Sequence, residues 1–432
     1  MDVELLKQII VDQKSQLDRK FKNEKIIERD NPNIERYLSH PNALIILGIR
    51  RCGKSTLAEE IFKDKKFAYI NFDDDRLVKL ETSDLNRILQ SFYEIYGEVE
   101  NIVLDEIQDV YGWEKFVSRL RDVKKVIVTG SNSTLLSGEL ATSLTGRHID
   151  FILFPFSFRE YLKYKGIKYE GVLTTDEEAR LNVTLQEYLN EGGFPEVLRF
   201  GREFLKSIYN DIITKDVIRR HKIKNEADLK AVAAFLMSNI SKEFSYSSII
   251  KLTDVKHKIT ISKWISYLEE AYLVFRLNRF SFKLKEAIFA PKKIYSVDNA
   301  LSVYISPSIS DRKGVLMENT VAIELLRRRS KIDDTVGSGL FYWKDHQQRE
   351  VDFVIKEGNK ITQLLQVTYA SERSAINDRE INNLLVASKE LHCNNLLIIT
   401  WGYKAEEKVD SKTVKFIPLW KWLCQESHRF SV

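Results

Sequence analysis

The chain reads Gly48-Ile49-Arg50-Arg51-Cys52-Gly53-Lys54-Ser55-Thr56 directly after the apolar run Ala43–Leu47. This stretch fits the phosphate-binding pattern G-x-x-x-x-G-K-[ST]. Gly48 and Gly53 permit a backbone path along which successive N–H groups can converge on phosphates. Lys54 supplies a positive charge for the β- and γ-phosphates, and the Ser55 hydroxyl can ligate Mg²⁺. An amphipathic run follows, so the sequence predicts a strand, a loop and a helix that bind ATP and Mg²⁺.

Two carboxylates, Asp105 and Glu106, end the short apolar run Asn101–Leu104. Asp105 is placed to hold Mg²⁺ through water, and Glu106 to polarise the water that attacks the γ-phosphate. The same residues could form an ordinary core strand before a solvated acidic turn. Beside a phosphate loop, the catalytic interpretation is favoured.

Two further residues are candidates for the same site. Asn132 follows the apolar run Val126–Val128, at a strand end where a γ-phosphate sensor is expected. Arg147 precedes the strand-like run His148–Leu153. It is a candidate arginine finger, from the same chain or from a neighbouring subunit of a homo-oligomer. The alternative, that Arg147 holds a structural carboxylate, stays open.

Apolar strands alternate with amphipathic helices from residue 41 to residue 156. This alternation predicts an α/β fold of the P-loop NTPase type, with a parallel sheet between two layers of helices and ligand at the carboxyl ends of the strands. Residues 1–40 are predicted to be a helix and a connector. Residues 157–224 are predicted to be an all-helical lid over the nucleotide.

Composition excludes several classes of protein. Of the 432 residues, 44% are hydrophobic and 30% charged, typical of a globular chain. The longest apolar runs are far shorter than the roughly 20 residues that span a bilayer, so no membrane segment is predicted. The first residues lack the profile of a secretory signal. Cys52, Cys393 and Cys424 are widely separated, which favours a reducing cytoplasm over a disulfide framework.

Positive charge is concentrated in one part of the chain. The net charge is +5, and residues 251–293 carry ten Lys or Arg against four Asp or Glu. Residues 225–286 read as three helices and a hairpin, the order of a winged helix whose third helix enters the major groove. DNA is therefore the predicted partner, although winged helices also bind proteins. The candidate contacts are Lys256, His257, Lys258, Ser262, Lys263 and Trp264, with a second basic cluster at Lys215, Arg219, Arg220, Lys222 and Lys224.

The segment 287–432 has acidic candidates of its own. Glu318 lies in an amphipathic helical run, and Asp352 and Gln366 lie in two successive strand-like runs. Acidic residues on a hairpin and a helix are how metal-dependent nucleases build a Mg²⁺ site. The alternative is ordinary polar decoration of a mixed α/β domain.

Taken together, these motifs resemble a family of archaeal and bacterial AAA+-type ATPases. In that family a P-loop module is joined to a winged helix and to a C-terminal domain like the PD-(D/E)xK restriction endonucleases. The resemblance covers nearly the whole chain. It is carried by Gly48–Thr56, Leu104–Ile107, Thr129–Ser133, Gly146–Arg147, Pro155–Glu160, Gly192–Pro195, Lys293–Asp298, Met317–Asn319, Tyr342–Trp343 and Glu350–Phe353.

The resemblance implies an ATP–Mg²⁺ site and a nuclease-like fold after Ala290. Active nucleases of that superfamily place a lysine two residues after the second-strand Glu or Gln, where this chain has Thr368. Lys356 and Lys360 are the neighbouring lysines that could reach in. We therefore expect a degenerate domain that binds DNA or protein, in an ATPase that couples nucleotide state to DNA. An ATP-regulated nuclease and a protein-binding scaffold are the alternatives.

Overall fold

The computed structural model describes residues 1–30, 34–133, 146–329 and 338–425. These residues form two compact units. Unit 1 comprises Met1–Phe154 with Glu270–Tyr272, and unit 2 comprises Pro155–Glu269 with Leu273–Val432. The division is coarser than the five predicted segments, whose internal boundaries stay predictions. Within the described residues, no helix is both long and apolar enough to cross a membrane.

Unit 1 is built on a parallel sheet. Its described strands are β1 (Ala43–Leu47), β2 (Phe67–Asn71), β3 (Asn101–Asp105), β4 (Lys125–Gly130) and β5 (His148–Ile152). Its described helices are α1 (Val3–Asn23), α2 (Ile34–Ser39), α3 (Lys54–Ile61), α4 (Asp84–Tyr96) and α5 (Trp113–Leu120), with 3₁₀ turns at Asp75–Leu77 and Ile107–Asp109.

The strands lie in the order β2-β3-β4-β1-β5, and every pair is parallel. All five residues of β1 and of β3 are buried, as expected for strands covered on both faces. The predicted parallel α/β sheet is thus confirmed. Because β1, β3 and β4 are parallel neighbours, the residues that follow them meet at one edge of the sheet.

Helix α1 belongs to the core of unit 1. Leu6, Ile9 and Ile10 are fully buried in the same hydrophobic cluster as β1 and β3. The Gln13 side-chain amide hydrogen-bonds the backbone of Asn71 at the end of the edge strand β2. Nε2 donates to the Asn71 carbonyl at 3.0 Å, and Oε1 accepts from the Asn71 N–H at 2.9 Å. The predicted N-terminal helix therefore stabilises the parallel sheet of unit 1. Residues 31–33 of the predicted connector lie outside the described residues.

Unit 2 combines many helices with a mixed sheet. Its described helices are α6 (Phe158–Lys165), α7 (Thr175–Glu191), α8 (Pro195–Phe200), α9 (Phe204–Asp211), α10 (Glu226–Ser238), α11 (Tyr246–Ile250), α12 (Lys258–Glu270), α13 (Leu284–Phe289), α14 (Asn299–Ile305), α15 (Lys313–Arg329), α16 (Asp378–Glu390) and α17 (Leu419–Cys424). A π-helical stretch, Ile212–Arg219, continues α9, and 3₁₀ turns lie at Pro307–Ile309 and Arg373–Ala375. The described strands are β6 (Lys242–Phe244), β7 (Val274–Arg279), β8 (Lys292–Ser296), β9 (Gly339–Lys344), β10 (Glu350–Glu357), β11 (Lys360–Val367), β12 (Leu396–Thr400), β13 (Ala405–Val409) and β14 (Lys412–Pro418).

One sheet runs through most of unit 2, in the order β13-β14-β12-β11-β10-β9-β7-β8-β6. β8 pairs antiparallel with both β6 and β7. β7 also pairs in parallel with β9, where Asn278 lies opposite Phe341. The hairpin predicted to end before residue 287 therefore takes its second strand from beyond that boundary, and the two predicted domains share one hydrogen-bonded sheet.

At Gly192-Gly193, where α7 ends, the backbone packs tightly against Asp298 and Phe156, a contact called here the Gly192 joint. The Gly193 N–H donates to Asp298 Oδ2 at 2.7 Å, and the Gly193 carbonyl accepts from the Phe156 N–H at 2.7 Å. A Cβ on Gly192 would lie 1.9 Å from Asp298 Oδ1. Asp298 in turn caps α14 through the Ala300 N–H at 2.8 Å. The glycines are required here because no side chain fits.

Candidate active site

The phosphate loop joins β1 to α3 at the carboxyl edge of the sheet in unit 1. Gly48 and Gly53 have φ values of +149° and +100°, which favour glycine. A Cβ on Gly48 would lie 2.1 Å from the Leu153 carbonyl oxygen. Helix α3 begins at Lys54, so its free N–H groups face the loop. The backbone is therefore shaped for an anion, as the sequence predicted.

Lys54 is folded onto its own loop and onto Glu106. Its buried Nζ donates to the carbonyls of Gly48 and Ile49, each at 3.2 Å, and lies 3.2 Å from Glu106 Oε1. Burial opposes the charged form, but Glu106, Cys52 and Asp105 together outweigh burial and raise the pKa of Lys54. The ammonium thus occupies the loop with protein acceptors only.

Asp105 lies fully buried at the end of β3 among three hydroxyl groups. Oδ1 accepts from Ser55 Oγ at 2.9 Å and from Thr129 Oγ1, and Oδ2 accepts from Tyr69 Oη at 2.8 Å. Burial, followed by the neighbouring Glu106 carboxylate, raises the pKa of Asp105. The adjoining Ser55 and Asp105 oxygens suit a hard cation such as Mg²⁺.

Glu106 has a left-handed backbone, with φ at +53°, which turns its side chain back toward the loop. Its Oε2 accepts from the Ser131 N–H at 3.1 Å and from Gln108 Nε2 at 2.8 Å. Burial raises its pKa, but Lys54 and then Arg50 outweigh burial and lower it to about 2. Asn132, the predicted sensor, is buried next to Ser131 at the end of β4. The predicted sensor thus follows directly after the residue whose N–H contacts the predicted base.

Three other loop residues differ in their surroundings. Arg50 is 8% exposed, and its Nη1 lies 3.1 Å from Asp73 Oδ2, whereas Arg51 is exposed with φ at +68°. Cys52 is buried, and burial raises the pKa of its thiol. Its carbonyl accepts from Arg29 Nη1 at 2.9 Å, while Arg29 Nη2 donates to the Phe154 carbonyl at 2.6 Å.

Arg147 lies away from this site. It precedes β5, and its carbonyl accepts from the Ala43 N–H at 3.2 Å, at the amino end of β1. Its Nη1 donates to Ser118 Oγ at 3.0 Å. The phosphate loop begins at the other end of β1, about 16 Å away at a rise of about 3.3 Å per residue. The structure does not bring Arg147 to Lys54 and Glu106 of its own chain, and a role in a neighbouring subunit stays a prediction.

The nuclease-like candidates do converge, but around a lysine. Lys293 Nζ lies 2.9 Å from Glu318 Oε1, 2.6 Å from Glu350 Oε1 and 3.1 Å from Asp352 Oδ1. Gln366 Oε1 accepts from the Asp352 N–H at 3.3 Å. Among the described residues, no group of three or more His, Cys, Asp or Glu side chains is arranged to hold a metal ion. The residues present therefore do not fit the Mg²⁺ that a nuclease of this type requires.

Lys356 and Lys360, the neighbouring lysines that could reach in, lie at the turn end of the β10–β11 hairpin. Lys356 lies opposite Ile361, next to the turn of the β10–β11 hairpin, and Lys360 lies opposite Glu357. Asp352 and Gln366 lie toward the far end of the same two strands. The sequence analysis missed Lys293 because it is on β8, far from these strands along the chain. The run that begins at Lys293 supported the family resemblance, but it did not predict that Lys293 contacts the carboxylates.

Sequence reasoning also missed Tyr69, Thr129 and Lys20. Tyr69 and Thr129 surround Asp105, and Lys20 of α1 donates to Thr56 Oγ1 on the phosphate-loop helix. Thr129 could have been found from its place at the polar end of a predicted strand. Tyr69 and Lys20 give no such signal, because an aromatic residue in a strand and a lysine on a helix are ordinary.

Comparison with known families assigns the class of unit 1. Residues 40–162 match the family described as AAA domain. Residues 182–311 and 313–422 match two domains of unknown function, DUF8612 and DUF4143. With the loop and carboxylate geometry, the first match defines unit 1 as an AAA-type P-loop ATPase module.

Two relatives show the family of the whole chain. An uncharacterised protein of Methanocaldococcus jannaschii is 37% identical over 421 residues, covering 93% of this chain and 92% of the relative. A protein of Haemophilus influenzae is 30% identical over 397 residues, covering 87% and 93%. The chain belongs to the family that these two proteins represent.

Solved structures give lower similarity. The Walker-type ATPase of Pyrococcus abyssi is 15% identical with a TM-score of 0.43, and the match covers 66% of this chain and 97% of that one. The ORC1 protein of Aeropyrum pernix, solved in complex with DNA, is 12% identical with a TM-score of 0.29, over 65% and 93%. The assignment of the ATPase module rests on the family match and on the site itself.

Proposed function

We propose that the chain is a Mg²⁺-dependent ATPase that couples its nucleotide state to the binding or remodelling of DNA. The observation that carries the ATPase proposal is the Lys54–Glu106 pair beside Asp105 and Ser55. A phosphate-binding ammonium, a base for water and two Mg²⁺-type oxygens lie at one edge of the sheet, where P-loop enzymes need them.

Nucleotide binding frees the base in this scheme. Lys54 Nζ lies 3.2 Å from Glu106 Oε1 and donates to the Gly48 carbonyl, both within the phosphate loop region. ATP offers Lys54 better acceptors in its β- and γ-phosphates, so the ammonium leaves Glu106. Glu106 would then be placed to polarise the attacking water, and Ser55 and Asp105 would hold the Mg²⁺ that supplies charge neutralisation at the phosphates.

Arg50 is the arginine that serves this site from within the chain. It is buried in the phosphate loop, close enough to Glu106 to lower the pKa of that carboxyl, and it is paired with the half-exposed Asp73. An arginine so placed can leave Asp73 for the γ-phosphate when the nucleotide binds. It would stabilise transition-state charge, the role first predicted for Arg147.

A basic surface on unit 2 supports the DNA part of the proposal. α10, β6, α11, α12, β7 and β8 follow in the order of a winged helix, with α12 as the candidate recognition helix. The segment entering α12 exposes Lys256, His257 and Lys258, and Lys263 is exposed one turn farther. Phosphate neutralisation by such lysines supplies most of non-specific affinity for DNA.

Some of the predicted basic residues already contact acidic side chains. Lys293 is buried in the carboxylate cluster, Arg276 is paired with Glu269, and Lys283 lies 3.1 Å from Glu286. In the second cluster, Lys215 is paired with Asp211 at 3.3 Å. The proposed DNA surface is therefore centred on the start of α12 rather than spread over all of residues 251–293.

The test is an ATPase assay with and without single-stranded, duplex and branched DNA, with the DNA examined for cleavage in the same tubes. We expect DNA to raise turnover and its affinity to fall steeply with salt. The double variant Lys258→Glu, Lys263→Glu should weaken DNA binding at least about tenfold. Lys389→Glu, an exposed lysine on α16, is the matched control.

Other results would select the alternatives. Turnover that ignores every DNA, with no salt-sensitive DNA affinity, would favour a nucleotide-switched protein scaffold. Mg²⁺-dependent cutting that disappears in Asp352→Ala would favour the nuclease. Absence of saturable ATP binding would reject the proposal as a whole.

A further inference from the structure

The carboxylate cluster of unit 2 has a single ammonium at its centre. Glu318 comes from α15, and Glu350 and Asp352 come from β10, so separate elements of the fold converge on Lys293 of β8. The Lys293 side chain is 3% exposed. Three carboxylates within 3.1 Å of one buried nitrogen use every donor that an ammonium has.

Other contacts fix the acidic groups in place. Tyr295 Oη donates to Glu318 Oε1 at 2.8 Å, and the Val367 N–H donates to Asp352 Oδ2 at 3.0 Å. Lys344 Nζ lies 3.2 Å from Glu350 Oε2, on the side away from Lys293. Each acid therefore presents one oxygen to Lys293 and is held by another element of the fold. The cluster is built for the ammonium and is not a loose acidic patch.

Charge balance agrees with this arrangement. Burial and the nearby Asp352 raise the pKa of Glu318, which eases the crowding of negative charge in the cluster. Lys293 opposes Glu350 and Asp352, and Lys344 adds a second positive charge shared between Glu350 and Glu243. Two ammonium groups therefore lie against the acidic side chains of the cluster, and buried charges require such partners.

A divalent cation and this ammonium cannot share the space. Carboxylate oxygens lie about 2.1 Å from Mg²⁺, whereas the distances here, 2.6 to 3.1 Å, are those of charge-assisted hydrogen bonds. We propose that Lys293 is a built-in counter-cation among the residues first predicted to hold Mg²⁺, so that this cluster neither binds nor needs a divalent ion.

The test uses Mn²⁺ alone, without nucleotide, on the full chain. Lys293→Met keeps the length of the side chain and removes the charge, which leaves three carboxylates around a gap. We expect the wild-type protein to bind no Mn²⁺ detectable by electron paramagnetic resonance at this cluster. The variant should melt several degrees lower, bind about one Mn²⁺, and recover melting temperature when Mn²⁺ is added.

Lys344→Met is the matched control. Lys344 touches Glu350 but neither Glu318 nor Asp352 among the described contacts, so its loss leaves Lys293 in place and should create no Mn²⁺ site. Adding Asp352→Asn to Lys293→Met should abolish the new Mn²⁺ binding.

Two results would overturn the proposal. One is wild-type binding of Mn²⁺ that Asp352→Asn removes, a measurement that does not depend on whether the lysine variant folds. The other is a folded Lys293→Met protein that takes up no Mn²⁺. Both are independent of ATP, so they leave the proposed ATPase function untouched.

Discussion

Lys54 and Glu106 form the ion pair on which the proposed chemistry depends, and each substitution has a distinct expected effect. Lys54→Ala removes the charge that meets the phosphates, so ATP affinity should fall at least about 100-fold. Glu106→Gln keeps the shape and releases Lys54, so ATP should bind as well or better. The turnover of the Glu106→Gln variant should fall by about 10²- to 10³-fold, because the base is lost. Calorimetric titration and phosphate release measure the two effects, and normal turnover in Glu106→Gln would reject the assignment.

Arg50 and Arg51 are neighbours that differ in burial, which makes them a matched pair. Arg50→Ala should lower turnover at least about 100-fold and reduce the preference for ATP over ADP, since Arg50 would contact the γ-phosphate. Arg51→Ala changes an exposed residue and should alter turnover less than about threefold. Binding of fluorescent ATP and ADP analogues gives a readout separate from hydrolysis. Equal effects of the two substitutions would contradict the role of Arg50.

The Gly192 joint allows a test at the scale of an element. Gly192 and Gly166 have the same φ of +70°, but a Cβ on Gly192 meets Asp298 whereas Gly166 has open space. Gly166→Ala should cost about 1 kcal/mol of backbone strain. Gly192→Ala adds a collision at the end of α7 and should cost at least about 3 kcal/mol. Urea unfolding measures both free energies, and equal costs would show that the joint is not tight.

Asp298 should make the stability of unit 2 depend on pH. Burial, only partly offset by the Gly193 and Ala300 N–H groups, raises its pKa from 3.8 to about 6. A carboxyl group whose pKa is raised in the folded state favours folding below its unfolded pKa, and this contribution is lost as pH rises through about 6. Relative to Asp298→Asn, the wild-type protein should lose on the order of 3 kcal/mol between pH 4 and pH 7. Urea unfolding across this range checks it, and a constant difference would refute it.

Local sequence predicted the elements of unit 1 well because its motifs are continuous along the chain. Gly48–Thr56 dictates its own geometry, and the strand ending at Asp105 follows from apolar residues before a carboxylate. The position of Arg147 within its own chain did not follow from local sequence. A residue before a strand lies at the amino edge of a parallel sheet, whereas the phosphates bind at the carboxyl edge. The parallel pairing of β5 with β1, which no local pattern contains, decides at which edge Arg147 lies.

At the scale of the whole molecule, pairings between distant segments were beyond sequence reasoning. Lys293 contacts Asp352, which lies 59 residues farther along the chain. β7 pairs with β9 in a register that the sequence of neither strand predicts. The carboxylates were predicted as a group because their strands are adjacent in sequence. Their partner Lys293 was missed because β8 is distant from these residues along the chain.

The pairing of β7 with β9 has a practical consequence for dissecting the protein. An expression clone ending at residue 286 would remove β8 and β9, leaving β7 with bare amide and carbonyl edges on both sides. A clone starting there would keep β10 beside β9 but remove β7 from its other side, and exposed strand edges of this kind drive aggregation. Fragments should instead be cut near residue 154, outside the shared sheet.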